Sequence, residues 1–332
     1  MKRLASAALA VAALAAGTAR ADTPPSAWDA AKDPGARARW QLHRDVREQI
    51  DTVAVKSLRG VARDLAFERA RASLEAAHAA DSPDPRLRFD LGVVYEDLQR
   101  HDRAVEVLEK GLELAPDHPA APEAWVTLAY AGAKLDRPAL ERRAYVEYLR
   151  RVSDDRPRST ALLNLAEAEM RLGNLDRAIT GYHDALRASV DLGFAGQETY
   201  TLGLWGLAVA LDRAGDPVGS KAETRRALSH DPGMQLIGFG PNVFFVPAYE
   251  RLWYLGLGYA VTAEDSRDPR EARDQWELAL RTWEKYAREA QATERWLPLA
   301  RAHLAWVQKQ KKAADARALA APLLVDPPEV TP

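Results

Sequence analysis

The chain has 332 residues, with 46 Lys and Arg against 48 Asp and Glu and a formal net charge of −2. Nucleic-acid binders carry a basic excess that neutralises phosphates; this chain has none, which counts against a nucleic-acid partner. Hydrophobic residues make up 47% and charged residues 28%, a globular mixture, and the absence of cysteine excludes disulfides, thiolate metal sites, a cysteine nucleophile and a lipid-modified cysteine.

The first 21 residues have the plan of a secretory signal peptide. Lys2 and Arg3 precede an uncharged Ala/Leu-rich run from Leu4 to Ala16, and Ala19-Arg20-Ala21 puts small side chains at −3 and −1 of a cleavage site. The run is too short to span a bilayer, so cleavage before Asp22 and an exported chain, periplasmic or associated with the cell envelope, are expected. Residues 22–35 are polar and hold Pro24, Pro25 and Pro34, and they read as a flexible lead-in. Arg37 to Leu58 looks helical, with Trp40, Val46, Ile50 and Val53 near one face. Together with Ala70, Leu74 and Ala77, which suit the second helix of an atypical first repeat, it makes 36–84 an N-terminal helical segment.

From residue 85 the chain repeats. Pro85 to His118 holds Leu91-Gly92, Tyr95, Ala104, Leu108 and Pro116; Ser159 to Leu192 holds Leu165-Ala166, Gly173, Ala178, Tyr182 and Ala185; Thr201 to Met234 holds Leu207-Ala208, Gly215, Ala227-Leu228 and Pro232. On a frame of about 34 residues these fall at positions 7, 8, 11, 15, 20, 24, 27, 28 and 32. Weaker copies run from Pro122, with Trp125, Leu128-Ala129 and Tyr145 but Glu141 in place of Ala, and from Tyr249, with Leu252, Leu255-Gly256 and Tyr259. The copy from Tyr249 resumes at Ala272, Trp276 and Ala279 after an Asp/Arg-rich insertion of about four residues, and Trp296, Leu299 and Ala300 match a terminal first helix.

This pattern resembles the tetratricopeptide repeat. The resemblance implies an all-α, right-handed superhelical solenoid of helix pairs over 85–312, with small residues where helices cross closely and Pro stopping the second helix. Residues 313–332 follow as a C-terminal segment whose last seven residues are Pro-rich and read as a disordered tail. Residues 233–247 (GMQLIGFGPNVFFVP) stand apart from the repeat: apolar, punctuated by Gly and Pro, without helical period. They read as an inserted loop. The longest uncharged run after the leader, Pro232 to Tyr249, contains these same prolines and cannot be a spanning helix.

No constellation for catalysis, cofactor or metal binding emerges. The seven histidines include no pair at helical i, i+4 spacing and no His-Glu-x-x-His. There is no Gly-x-Ser-x-Gly elbow and no phosphate-binding loop, and Gly256-Leu-Gly258 sits where the repeat needs a small residue. The acidic residues Glu264, Asp265, Asp268, Glu271 and Asp274 are interleaved with Arg267, Arg270 and Arg273, which favours a salt-bridged turn over a calcium loop.

The resemblance implies instead a concave groove built from positions 2, 5, 9, 12 and 13 of each first helix. These include Phe89, Val93, Tyr130, Leu163, Met170, Trp205 and Trp253, an apolar and aromatic stripe. Of the carboxylate clamp found in some relatives only Asn164 has a counterpart. Such a stripe needs cover: either an apolar or amphipathic segment of a partner, or the protein itself, through the helix around Trp40 or the loop with Phe239, Phe244 and Phe245. The expected function is a non-catalytic protein-interaction scaffold or adaptor of the bacterial cell envelope. The alternative is a periplasmic enzyme or small-ligand binder carried on the repeats.

Overall fold

The computed structural model describes residues 23–240 and 243–321. The expected signal peptide and Pro-rich tail lie outside the described residues. Those residues form fifteen α-helices joined by short turns and 3₁₀ segments, and no strand: an all-α solenoid of tandem helix pairs.

The chain divides into two compact units. The first runs to Gly206 and takes in Gly240–Val246; the second comprises Leu207–Phe239 and the chain from Pro247. In the first unit, α1 (Ala27–Lys32) is followed by α2 (Ala36–Val55) and α3 (Val61–Ala76). Four helices then form two pairs, α4 (Pro85–Asp97) with α5 (His101–Leu114) and α6 (Ala121–Lys134) with α7 (Pro138–Leu149). Next come α8 (Asp155–Arg171) and α9 (Leu175–Asp191), also packed on each other. The division falls within α10 (Gln197–Arg213). The second unit continues with α11 (Pro217–His230), α12 (Gln235–Phe239), α13 (Arg251–Asp265), α14 (Pro269–Glu289) and α15 (Leu297–Ala320).

The pairs close in one recurring way. Position 15 of four successive repeats, Gln99, Asp136, Gly173 and Gly215, has positive φ of 60°, 55°, 81° and 83°. At each, the next amide reaches back to a carbonyl five residues earlier, as in Arg100 N–H to Tyr95 at 2.7 Å and Asn174 N–H to Glu169 at 2.9 Å. This satisfies carbonyls that the helix end leaves orphaned and turns the chain into the second helix. Starts are as regular: Pro85, Pro138, Pro217 and Pro269 open their helices, and Asp84, Asp216 and Asp268 cap three of them.

Small residues stand at the close crossings. Ala104, Ala178, Ala185 and Ala279 are fully buried. A Cβ on Gly256 would lie 2.6 Å from the Trp283 ring, and one on Gly181 would lie 3.0 Å from the Ala166 Cβ. Leu87, Leu91, Leu108, Leu128 and Tyr145 fill the core between them in the first unit. Ion pairs knit each repeat to the next with the repeat's own spacing: Arg151 to Asp117, 34 residues apart, at 2.9 Å, and Arg137 to Asp102, 35 apart, at 2.8 Å. Such exposed pairs contribute about 0–1 kcal/mol each; the buried apolar faces carry the stability.

Four expectations about boundaries change. Part of the lead-in is helical, because Ser26 and Asp29 form a reciprocal capping box at the start of α1. Residues 36–84 hold a well-formed helix pair, and α2 buries Trp40, Val46, Ile50 and Val53, the face read from the sequence. The inserted loop contains α12, and a 3₁₀ turn at Ala248–Glu250 follows it. The terminal helix runs on to Ala320, burying Val307, Ala314 and Ala318 at helical spacing.

Candidate functional site

The aromatic and apolar stripe that the resemblance places along the concave groove is buried. Phe89, Val93, Leu163 and Met170 are nearly inaccessible, and Trp205 and Trp253 fully so; Tyr130 is half-buried. The reason at Phe89 is specific: its ring packs into the gap left by Gly111, whose Cβ would stand 2.9 Å away, and meets His118 edge-on at 6.0 Å. Tyr130 packs edge-on against Tyr145 at 6.4 Å. Asn164, the lone clamp counterpart, donates to the Tyr145 hydroxyl at 2.8 Å. Phe89, Val93, Leu163, Met170, Trp205 and Trp253 are packing elements, and Tyr130 alone of the stripe keeps part of its surface.

What covers the first-helix face of the first unit is the chain itself, at two places. At the N-terminal side α2 packs on α4. His43 Nδ1 lies 2.6 Å from the buried Asp90 carboxylate, and the Arg47 guanidinium donates to Glu123 at 3.1 Å. Burial pushes the Glu123 carboxyl up and Arg47 pulls it back. Further along, the segment 243–246 lies in the first unit, and the Lys134 ammonium stands 3.2 Å from the centre of the Phe244 ring, a cation–π contact. Phe244 and Phe245 are half-buried, whereas Phe239 is 80% exposed.

Around Lys134 the face is polar. Glu96, at position 12 of the first clear repeat, has its carboxyl pushed up to about 7 by burial and by neighbouring Asp97, with Lys134 and Arg63 opposing. Asp97 is pushed up to about 6 by burial, although Arg63 donates to it at 2.6 Å. The phenol of Tyr130 is raised to about 12 by burial and Glu96, while burial lowers both Lys134 and His101. In the next repeat Glu141 is buried and rises to about 8, because burial, Glu167 and Asp136 outweigh Arg171. Arg171 donates to Glu141 at 2.8 Å and also pairs with Asp136, so its charge is shared.

The second unit encloses a polar knot of its own. Asp212 accepts from Trp253 Nε1 at 2.9 Å, and the same Asp212 oxygen lies 2.9 Å from His303 Nε2. Arg213 pairs with Glu250 at 2.6 Å, Tyr286 donates to Glu250 at 3.0 Å, and the guanidinium lies 4.5 Å from the Trp253 ring. Trp283 stacks on His303 with centroids 4.5 Å apart. Removing one partner of a pair this buried typically costs about 3–5 kcal/mol. The knot ties α10, α13, α14 and α15 together, which is structural work. Trp253 belongs to it.

The sequence reading passed over Glu96, Lys134, Arg171, Asp212 and Arg213. All stand at position 12 or 13 of their repeats, so the register that singled out the apolar residues held the signal for these too. Among the described residues no group of three or more His, Asp or Glu is disposed to hold a metal ion, and no helix is long and apolar enough to cross a membrane.

Comparison with known proteins agrees with this architecture. The tetratricopeptide repeat family matches the sequence over residues 66–131 and again over 142–191. Among solved structures, the chain is similar to the signal transduction ATPase with numerous domains (STAND) protein with a tetratricopeptide repeat sensor from Pyrococcus horikoshii, at 16% identity and a TM-score of 0.50. The likeness covers 86% of this chain and 44% of that one, so this chain spans less than half of that protein's length; at such identity it shows the fold. No curated protein matches significantly. The chain carries tetratricopeptide repeats, which in general support a protein-interaction scaffold and belong to a repeat class that is generally non-catalytic.

Proposed function

We propose that this protein is a non-catalytic adaptor of the bacterial cell envelope that grips an extended apolar or amphipathic segment of a protein partner on the first-helix face of its repeats. The observation that carries the reading is the seating of Phe244 on Lys134: the face already holds an aromatic side chain from an uncharged stretch of chain, and apolar segments are the kind of ligand such surfaces recognise. Export is supported by Lys2, Arg3, the apolar run after them and Ala19-Arg20-Ala21.

The test is a photo-crosslinking residue at Tyr130 of the full chain, expressed in its native host and followed by cell fractionation and N-terminal sequencing. The reading expects a discrete protein adduct in the envelope fraction and a chain that begins at Asp22. A chain beginning at Met1 in the cytoplasm would remove the envelope role, and the absence of any adduct would remove the adaptor role.

A further inference from the structure

The turn between α2 and α3 hides one large side chain and shows several others. Ser57 takes φ 48° and Gly60 φ 57°, and the Leu58 amide reaches back to the Val53 carbonyl at 3.0 Å, so the tip is a fixed turn. Leu58 packs against the core, yet Val55 at the end of α2 and Val61 at the start of α3 are 83% and 76% exposed. One turn further along α3, Leu65 is 53% exposed. Ala62, Ala72 and Ala76 lie on the same outer face of this helix, while its opposite face buries Phe67, Ala70 and Leu74. Single exposed hydrophobics are ordinary. A run of them on the outer face of a terminal repeat is not, because such repeats keep that face polar.

The charges around this patch are equally particular. Lys56 and Arg59 belong to the turn and Arg69 follows Leu65 by one helical turn, all three exposed. Among the described residues none of the three makes an ion pair, whereas Arg63 and Arg71 on the same helix pair with Asp97 and Glu68, each at 2.6 Å. Between Asp51 and Ala72 the later acids are engaged, Asp64 by Arg63 and Glu68 by Arg71 and Arg100. That leaves Asp51 alone against three open cations.

An occupant of this patch is therefore anionic and offers apolar contact. A second copy is disfavoured on charge, because a two-fold contact sets the same three cations against each other. The outer face of the last helix, α15, is cationic too: Arg301, Lys309 and Lys312 are exposed and, among the described residues, make no ion pair. Three apolar side chains projecting around a turn also supply much less area than a stable protein interface. They suit a lipid surface, where Val and Leu enter the headgroup boundary and each nearby Lys or Arg adds attraction to anionic lipid.

We propose that the α2–α3 turn is a peripheral membrane-docking site: Val55, Val61 and Leu65 dip into the headgroup boundary of a phospholipid bilayer, and Lys56, Arg59 and Arg69 pair with anionic headgroups. The site is separate from the partner segment proposed above and does not rest on it.

The test is co-sedimentation of the chain from Asp22, which contains every described element, with vesicles of phosphatidylcholine alone or of phosphatidylcholine and phosphatidylglycerol in equal parts. Binding is expected to the mixed vesicles only, and it should weaken as salt is added. The combined Lys56→Gln, Arg59→Gln and Arg69→Gln variant should lower the partition coefficient by about tenfold or more, since each cation contributes about fivefold. Val61→Ser with Leu65→Ser should lower it by about tenfold. Lys309→Gln with Lys312→Gln should bind as wild type. All these positions are exposed, so melting temperatures should not move; should a turn variant melt early, amide exchange of wild type takes its place, with slowing expected at 55–65 on adding mixed vesicles. Equal binding to the two vesicle types, turn variants that bind as wild type, an equal loss in the α15 variant, or unchanged exchange at 55–65 each overturns the proposal. So does a chain that self-associates through Val61 and Leu65 in sedimentation velocity and binds no vesicle, which would make the patch a contact between copies.

Discussion

The Lys134 ammonium, at the end of α6, lies 3.2 Å from the centre of the Phe244 ring, which reaches it from a stretch of chain beyond α12. Nothing in the repeat pattern calls for this contact. It joins the least regular segment of the protein to the polar end of a regular helix, and it turns the loop from an exposed apolar insertion into a cover.

Replacing Phe244 with Ala should therefore cost about 1–2 kcal/mol, less than the roughly 3–5 of a fully buried Phe, because the ring is half-buried and also loses its cation–π contact. Phe239→Ala, at an 80% exposed position, should stay within about 0.5 kcal/mol of wild type. Urea denaturation of the two variants checks the contrast, and equal effects would show that the segment is not seated.

Ala178 and Ala185 are fully buried on α9, on either side of Gly181, which itself has the Ala166 Cβ within 3.0 Å of where a Cβ would stand. Ala178→Leu or Ala185→Leu should overpack this crossing and lower stability by about 1–3 kcal/mol. Thermal melts that match wild type would place the crossing elsewhere.

The four left-handed turn residues differ in cost. Gln99 carries a Cβ at φ 60° where Gly173 has none at φ 81°. Left-handed backbone costs a side-chain-bearing residue about 1–2 kcal/mol, part of which Gly loses again through its freer unfolded chain. Gln99→Gly should raise stability by about 0.5–1 kcal/mol and Gly173→Ala should lower it by about 1 kcal/mol. Chemical denaturation midpoints with unchanged slopes are the readout.

Glu141 makes stability depend on pH in a direction opposite to that of an ordinary paired carboxylate. Its carboxyl rises from 4.5 to about 8 in the folded chain, through burial first, so the folded state holds the proton more tightly than the unfolded. That stabilisation is complete below about pH 4.5 and is lost as pH rises through about 8. Glu96, at about 7, and Asp97, at about 6, act in the same direction. Glu141→Gln copies the protonated form and should fall progressively less than wild type as melts are taken from pH 5.5 to 8.5 (about the window set by these values). Parallel curves for the two proteins would show that Glu141 is ionised throughout.

Much of the fold was legible beforehand because its determinants are local and repeat. Leu-Gly or Leu-Ala at positions 7–8, Gly at 15 and Ala at 20 and 27 each act within one helix pair or between neighbours, so spacing alone identifies them, whereas the left-handed Gln99 and Asp136 at position 15 carry no such signal. The face of α2 followed from four apolar residues at helical period. The sequence by itself also placed Phe89, Trp205 and Trp253 on the first helices, and it located the polar residues at positions 12 and 13 without marking their importance.

Tertiary structure decided what each of those faces meets. Whether Trp253 lines a groove or a core depends on Asp212, Arg213, Tyr286 and His303, which come from three other helices. Whether the stripe of the first unit is open depends on α2 bringing His43 to Asp90 and on 243–246 bringing Phe244 to Lys134. Periodicity reports which side of a helix is apolar, since that is a property of neighbours in sequence. The identity of the covering surface is set by where distant chain returns, and so by the sum of packing and ion-pair energies over the whole unit, a quantity that no single window of sequence contains.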